Sequence, residues 1–257
     1  PLSKIRAAGL KTANGTNKRY IPVLTRADFA KVTLPLDPYL LGCLLGDGTL
    51  GPSIRFTSAD PDLVEDLGKR LPAGVHVVQN DPINYSFSRD AAGPNMLIEA
   101  LRSLCLLGTR SATKFIPAEY LRASHAERLA LLQGLCDTDG CVSGAAADYV
   151  TTSETLAEDV RALVRSLGGL ASLSRYQPAC QNADAVCAPA YRLQIRLPTG
   201  VCPFRLERKA ARFLAKAKYK KPTRAFASIE FSRYAPARCI LLDSENHLYV
   251  TNDYIVT

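Results

Sequence analysis

Two aspartates close two apolar runs in this chain, and each is followed by glycine. The first run is Leu40-Leu41-Gly42-Cys43-Leu44-Leu45-Gly46-Asp47-Gly48, and the second is Leu132-Gln133-Gly134-Leu135-Cys136-Asp137-Thr138-Asp139-Gly140. Aligned, they set Asp47 opposite Asp139. Paired carboxylates can hold Mg²⁺ while leaving open positions for phosphate and water. Phosphodiester hydrolysis needs a water activated at neutral pH, and charge stabilisation on the attacked phosphate and the leaving oxygen; a cation so held supplies both. A single Asp-Gly after a leucine-rich helix is an ordinary helix stop. Two in matched frames make a candidate catalytic pair, with one helix end for each strand of a duplex. Asp137 has Leu45 as its counterpart, so it reads as a packing or capping residue outside the pair.

The elements that must position these carboxylates also come twice. After Asp47 follow Ile54 to Ser58 and a helical periodicity from Asp60 to Leu71. After Asp139 follow Tyr149 to Ser153 and the same periodicity from Glu154 to Leu167. In each half Ser or Thr precedes an acidic first turn, which is N-cap chemistry. Strands are expected at Val75 to Gln79, Tyr85 to Ser88, Ala171 to Tyr176 and Tyr191 to Leu197. Further helices are expected near Pro94 to Leu107 and Pro203 to Ala215. Glycine inside a helix costs about 1 kcal/mol relative to alanine. Its recurrence at Gly42 and Gly134 implies that the two apolar helices approach closely.

Composition narrows the partners. The 257 residues carry a formal net charge of +8 and an isoelectric point near 9.1. Lys and Arg that neutralise phosphates release condensed counterions, so this balance suits a polyanion. Lys209, Arg212, Lys216, Lys218, Lys220, Lys221 and Arg224 form a basic run with Phe213 and Tyr219 interleaved. It reads as a phosphate-tracking patch. Tyr191, Leu193, Ile195 and Leu197 alternate with Arg192, Gln194 and Arg196, giving a strand with one apolar and one polar face. Those three polar residues, with Arg55, are of types that read base edges. No apolar run reaches the ~18 residues of a membrane span, and no signal-peptide pattern opens the chain. The eight cysteines include no CxxC pair. Cys180, Cys187 and Cys202 fit no zinc spacing, so reduced thiols in a cytosolic protein are expected.

The paired motif resembles the double signature of LAGLIDADG homing endonucleases, over roughly residues 34–215. The resemblance implies an α+β fold of two pseudo-symmetric αββαββα repeats forming a DNA-binding β-saddle. It divides the chain into an N-terminal remnant (1–30), a first repeat (31–122), a second repeat (123–222) and a C-terminal β-rich remnant (223–257). It implies that Asp47 and Asp139 are metal ligands, joined by the carbonyls of Gly46 and Thr138. Mg²⁺ is the expected cofactor, with Mn²⁺ or Ca²⁺ substituting for binding. Lys114-Phe115-Ile116-Pro117 is similar to a family block that places a basic residue beside the active site. Lys209 is the second-half candidate, with Lys216 or Lys218 as replacements. Double-stranded DNA is the implied partner, with no membrane, for a monomer with internal two-fold pseudosymmetry.

Arg238 to Thr257 resembles the final splicing blocks of inteins, and Asp243 and His247 match splicing positions. Leu2 to Leu24 looks like the segment joining a splicing block to the endonuclease. A Cys or Ser nucleophile at the start, a Thr-x-x-His block and the terminal His-Asn pair are absent from these residues. The resemblance therefore implies an intein-derived, Mg²⁺-dependent site-specific endonuclease with Hint-domain remnants at both ends, forming a small β appendage and unable to splice. A DNA-binding relic that no longer cuts, and a splicing element inactive in this form, are the alternatives. A cytoplasmic, nucleoid-associated location is expected, in a prokaryote or a phage-infected cell.

Overall fold

The computed structural model describes residues 2–179, 187–216, 223–236, 238, 240–243 and 248–256. A short helix, α1 (Leu2–Ala7), and a strand, β1 (Tyr20–Pro22), come first. Next are α2 (Pro38–Asp47), β2 (Gly48–Leu50), β3 (Ile54–Thr57), α3 (Pro61–Gly68), β4 (Val75–Gln79), β5 (Asn84–Arg89) and α4 (Met96–Ser103). A 3-10 turn at Ser111–Thr113 and α5 (Ala118–Leu121) lead into the second half. That half contains α6 (His125–Asp139), β6 (Gly140–Ser143), β7 (Ala146–Thr151), α7 (Glu154–Ser166), β8 (Leu170–Tyr176), β9 (Ala190–Arg196) and α8 (Glu207–Leu214). A strand, β10 (Thr223–Ala225), and a 3-10 turn at Asn252–Tyr254 follow.

The strands make two antiparallel four-stranded sheets, ordered β2-β3-β5-β4 and β6-β7-β9-β8. The two orders are the same pattern repeated, as the duplicated sequence requires. Between the sheets, α2 and α6 pack side by side. Residues 39–45 of α2 are all buried, because this helix is surrounded rather than surface-lying. Leu131, Leu132, Leu135 and Cys136 of α6 join the same core. Gly42 and Gly134 meet at the crossing: a Cβ on Gly42 would lie 2.3 Å from the Leu131 carbonyl oxygen, and one on Gly134 would lie 2.3 Å from that of Tyr39.

Local chemistry fixes the helix starts. The Asp37 carboxylate accepts from Leu40 N at 3.0 Å, and Pro38 opens α2. Ser124 and Glu127 form a capping box on α6. Ser153 caps α7, as its sequence position suggests. In the first half the cap is Asp60 rather than the preceding Ser58, whose hydroxyl instead accepts from Asp60 N. Both signature helices run straight into strands. Gly48 and Gly140 have extended φ of −84° and −99°, so no left-handed turn ends either helix.

The flanks depart from expectation. An unanticipated helix, α1, lies in the N-terminal segment. Among the described residues of the C-terminal segment only β10 forms a ladder, antiparallel to β1. Within the expected C-terminal β appendage, Ala225 to Phe231 has no regular structure beyond Ala225. Near the end, isolated bridges join Val23 to Ile255 and Val250 to Val256. β-rich composition makes strands only where partners complete a ladder, and a lone pair is marginal. The flanks dock on the second half. The guanidinium of fully buried Arg128 donates to the carbonyls of Ala123 and Ala27 and to the Ser166 hydroxyl. Arg165 pairs with Asp253.

Candidate active site

Asp47 and Asp139 are the last residues of α2 and α6, so the helix pair delivers both carboxylates to one place. They line a single cavity of about 310 Å³ with Leu45, Gly46, Ser111, Lys114, Val150, Thr151 and Thr152. The closeness is steric as well as electrostatic. A Cβ on Gly46 would lie 3.3 Å from Asp139 Oδ2 and 2.0 Å from the Thr138 hydroxyl oxygen. Gly46 and Thr138 therefore face each other across the helix pair, and the Thr138 hydroxyl donates back to the helix carbonyls of Gly134 and Leu135.

Two lysines close the helix ends in the same way. Lys114, only 4% exposed, donates to the carbonyls of Leu44 (3.2 Å), Leu45 (2.8 Å), Gly46 (2.9 Å) and Gly48 (2.7 Å). Lys209 donates to those of Cys136 (3.0 Å), Asp137 (2.7 Å) and Gly140 (2.8 Å). These are equivalent positions in the two repeats. The last carbonyls of a helix lack intrahelical partners and carry the negative end of its dipole, so an ammonium satisfies both demands. The two sets of lysine contacts differ at one carbonyl: Lys114 also holds that of Gly46, and Lys209 makes no such bond to Thr138. With an ammonium's three N–H donors spread over carbonyls, both lysines fix the backbone that carries each carboxylate.

The wiring crosses between repeats. Ser153, the cap of α7, donates to the Lys114 carbonyl at 2.6 Å, and Asp159 of α7 accepts from Ile116 N. Reciprocally, Arg208 pairs with Asp60, the cap of α3. Asp137, left out of the symmetric pair by its counterpart Leu45, is buried. Its Oδ2 accepts from the Tyr39 hydroxyl and from the backbone N–H groups of Arg205 and Leu206. It thus links α2 to the segment entering α8.

Burial raises the Asp47 carboxyl above its ordinary range, against the pull of Lys114 and Lys209. Asp139 is pushed up to about 6, first by desolvation and then by the Asp47 charge. Its side chain still opens to the cleft, so part of this desolvation is relieved by water. Burial brings Lys114 down to about 8, opposed by the two carboxylates. Two like charges held at one cavity invite a cation. Hard carboxylate and carbonyl oxygens fit Mg²⁺, Mn²⁺ or Ca²⁺. Among the described residues no cluster of three or more His, Cys, Asp or Glu side chains could hold a metal. The donor set therefore suits an ion completed by water and substrate phosphate rather than a closed protein cage.

A pH dependence follows. A carboxyl whose folded pKa lies above its unfolded value binds protons more tightly when folded. Metal-free stability then falls as pH rises from about 4 through about 6. Asp139→Asn should raise the melting temperature of the metal-free protein above pH about 7, with the gain shrinking as pH falls and gone below about 4. Thermal unfolding in chelator across that range checks it.

The open faces of the two sheets flank this cavity in sequence, and they hold the residues expected to meet nucleic acid. Arg55 is exposed on β3, with Thr49 and Ser86 beside it in the ladder. It lines a polar groove of about 470 Å³ with Ser53, Asn80, Asp81, Asn84 and Ser86. Arg192, Gln194 and Arg196 lie on the open face of β9, where Arg196 bonds the Gln194 side chain at 2.9 Å. Arg192 forms an ion pair with Asp148. Register makes Asp148 the equivalent of Arg55, an opposition that composition could not show. Lys216 is exposed just after α8 and Asp243 is exposed in the C-terminal flank, whereas Lys218, Lys220, Lys221 and His247 lie outside the described residues. Cys187 is disulfide-bonded, against the expectation of reduced thiols, while Cys43, Cys105, Cys136, Cys141 and Cys202 are free.

Sequence reasoning missed Ser111, Thr151 and Thr152 as cavity residues. The repeated Thr-Ser strand ends were a usable signal, taken only as helix capping. Among the described residues, no helix is long and apolar enough to cross a membrane.

Residues 126–184 match the family described as LAGLIDADG-like domain. The replicative DNA helicase DnaB of Mycobacterium intracellulare is 30% identical over 223 residues, covering 85% of this chain and 34% of that protein. The DnaB of Synechocystis sp. (strain ATCC 27184 / PCC 6803 / Kazusa) is 32% identical over 169 residues, covering 56% of this chain and 19% of that protein. The chain thus spans 34% and 19% of the length of these two relatives. Among solved structures, the homing endonuclease I-DmoI in complex with DNA and Ca has a TM-score of 0.42 and 16% identity, covering 63% of this chain and 83% of that one. Residues 126–184 are thus similar to a LAGLIDADG-like domain, and the described residues have the mixed helix and antiparallel-sheet architecture that the repeated sequence foretold.

Proposed function

We propose that this chain is a site-specific endonuclease that makes a double-strand break in DNA with Mg²⁺. The observation that carries this reading is the convergence of Asp47 and Asp139, one from each repeat, on a single cavity. In this reading the two carboxylates, with the Gly46 and Thr138 carbonyls, hold the cation. A bound divalent cation supplies Lewis-acid charge neutralisation at the phosphate and lowers the pKa of the attacking water. Lys114 and Lys209 hold the two helix ends rigid and offset carboxylate repulsion, so the site is preorganised before DNA arrives. Arg55, Arg192, Gln194 and Arg196 contact the duplex from the open sheet faces. Lys216, Lys218, Lys220 and Lys221 track its backbone.

We further infer that the chain derives from an intein lodged in a DnaB-type helicase. The relatives match over a minor part of their length, as an inserted element would. The chain contains no GxxxxGK[ST] nucleotide-binding loop, so the shared region is not the helicase's phosphate-binding part. The two flanks, paired through β1 and β10, are on this reading the remnants of a splicing domain, with Asp243 and His247 in it. The target is then the helicase coding sequence without the insertion, and the enzyme works on chromosomal DNA as a monomer.

The test is plasmid cleavage with Mg²⁺ or Mn²⁺. Plasmids carry the Mycobacterium intracellulare and Synechocystis DnaB coding sequences with the whole insertion, the matched segment and its flanking splicing blocks, removed in frame. Linear product from a joined sequence, and none from the uncut insertion-bearing gene, supports the proposal. Retarded migration of the joined sequences without any cleavage establishes the non-cutting DNA-binding alternative instead.

A further inference from the structure

The two halves of the site are unequal in one buried atom. In β7, Tyr149 pairs with Gly140, the residue after Asp139; in β3, Phe56 pairs with Gly48, the residue after Asp47. The two aromatic rings occupy equivalent places, Tyr149 at 0% exposure and Phe56 at 1%. Only one carries a hydroxyl. That Tyr149 Oη is buried and makes no hydrogen bond of acceptable geometry, although the Thr151 side chain stands beside it. An orphaned buried hydroxyl is costly, and Phe56 shows that the ring alone fills such a place. The second half is more polar here throughout, with Cys136 and Asp137 where the first has Leu44 and Leu45. Burial and then the Asp139 charge push the Tyr149 hydroxyl above its ordinary pKa.

We propose that Tyr149 is a positioning residue for Asp139, donating a hydrogen bond to its carboxylate, directly or through one water, when a divalent cation and DNA fill the cleft. Asp47, with Phe56 behind it, has no such donor. The inference rests on the endonuclease reading and adds to it an inequality between the two strands' cuts.

Tyr149→Phe in the full chain tests it, because it removes one oxygen and reproduces the first half's own solution. Three quantities are read. Mn²⁺ affinity, from loss of the free-ion paramagnetic resonance signal, should weaken roughly 10-fold, the usual scale for removing a group that orients a metal ligand. Strand-resolved cleavage should slow for one strand, the same strand that Asp139→Asn affects most. The melting temperature without metal should hold or rise, since an unsatisfied hydroxyl has gone. Unchanged Mn²⁺ affinity with both strands cut at parental rates overturns the proposal, as does a lowered melting temperature that accounts for the loss. If the parent cuts no DNA, the endonuclease reading fails by itself, and the Mn²⁺ measurement still decides the role of Tyr149.

Discussion

Asp47→Asn and Asp139→Asn should each lower the rate of linear product formation by roughly 10³-fold, the scale expected when several kcal/mol of charge stabilisation are lost. Asparagine keeps the shape of the side chain and removes the charge that holds a cation. The fold should survive, because each carboxyl is raised by burial and the unmutated partner then sits without its like-charged neighbour. DNA affinity should change little, since the sheet faces and basic residues are untouched. A linear product needs both strands cut, so one missing carboxylate suffices to remove it, and any residual product should be nicked circle. Supercoiled plasmid with the joined helicase sequence, resolved into nicked and linear forms over time, gives the measurement. Parental rates in either variant would remove that aspartate from the site.

The placement of the candidate carboxylates is legible in the sequence, and the reasons are particular. Asp47 and Asp139 stood out because duplication repeats the local frame, and a repeated frame in sequence becomes a repeated place in space. The same comparison set Asp137 aside, since Leu45 stands where a second carboxylate would need to be, and the structure has Asp137 binding Tyr39 and two backbone N–H groups. The strand Val75–Gln79 was legible because its alternation and its turn were both local. What stayed hidden depends on register and long-range contact. That Tyr149 answers to Phe56, and Asp148 to Arg55, requires knowing which residues pair with Gly140, Gly48, Cys141 and Thr49. The Lys114 block was recognisable by resemblance, but no spacing shows its ammonium turned onto four backbone carbonyls. The C-terminal flank misled because β propensity is a preference for a half-buried pleated surface, and most of the described residues between 226 and 256 join no ladder.

Gly42→Ala, or Gly134→Ala, should destabilise the protein by about 3 kcal/mol or more, at the upper end of overpacking. That corresponds to a melting temperature lower by roughly 6–12 °C for a chain of this size. The added methyl has nowhere to go. On Gly42 it would meet the Leu131 oxygen at 2.3 Å, the Leu135 nitrogen at 3.0 Å and the Gly134 Cα at 3.1 Å; on Gly134 it would meet the Tyr39 oxygen at 2.3 Å and the Cys43 nitrogen at 2.8 Å. All of these are backbone atoms, which cannot rotate away as a flexible side-chain end would. Relief must come from moving α2 and α6 apart, and that shift also separates Asp47 from Asp139. Cleavage should therefore fall further than the remaining folded fraction explains. Gly51→Ala is the control. Its Cβ would find nothing nearer than the Ser53 oxygen at 3.9 Å, so its effect should stay within about 0.5 kcal/mol. Thermal unfolding of the three variants alongside the parent, with cleavage measured well below each melting temperature, separates the packing cost from the displacement of the carboxylates. A Gly42→Ala protein as stable and as active as the Gly51→Ala control would mean that the helices do not cross at these glycines.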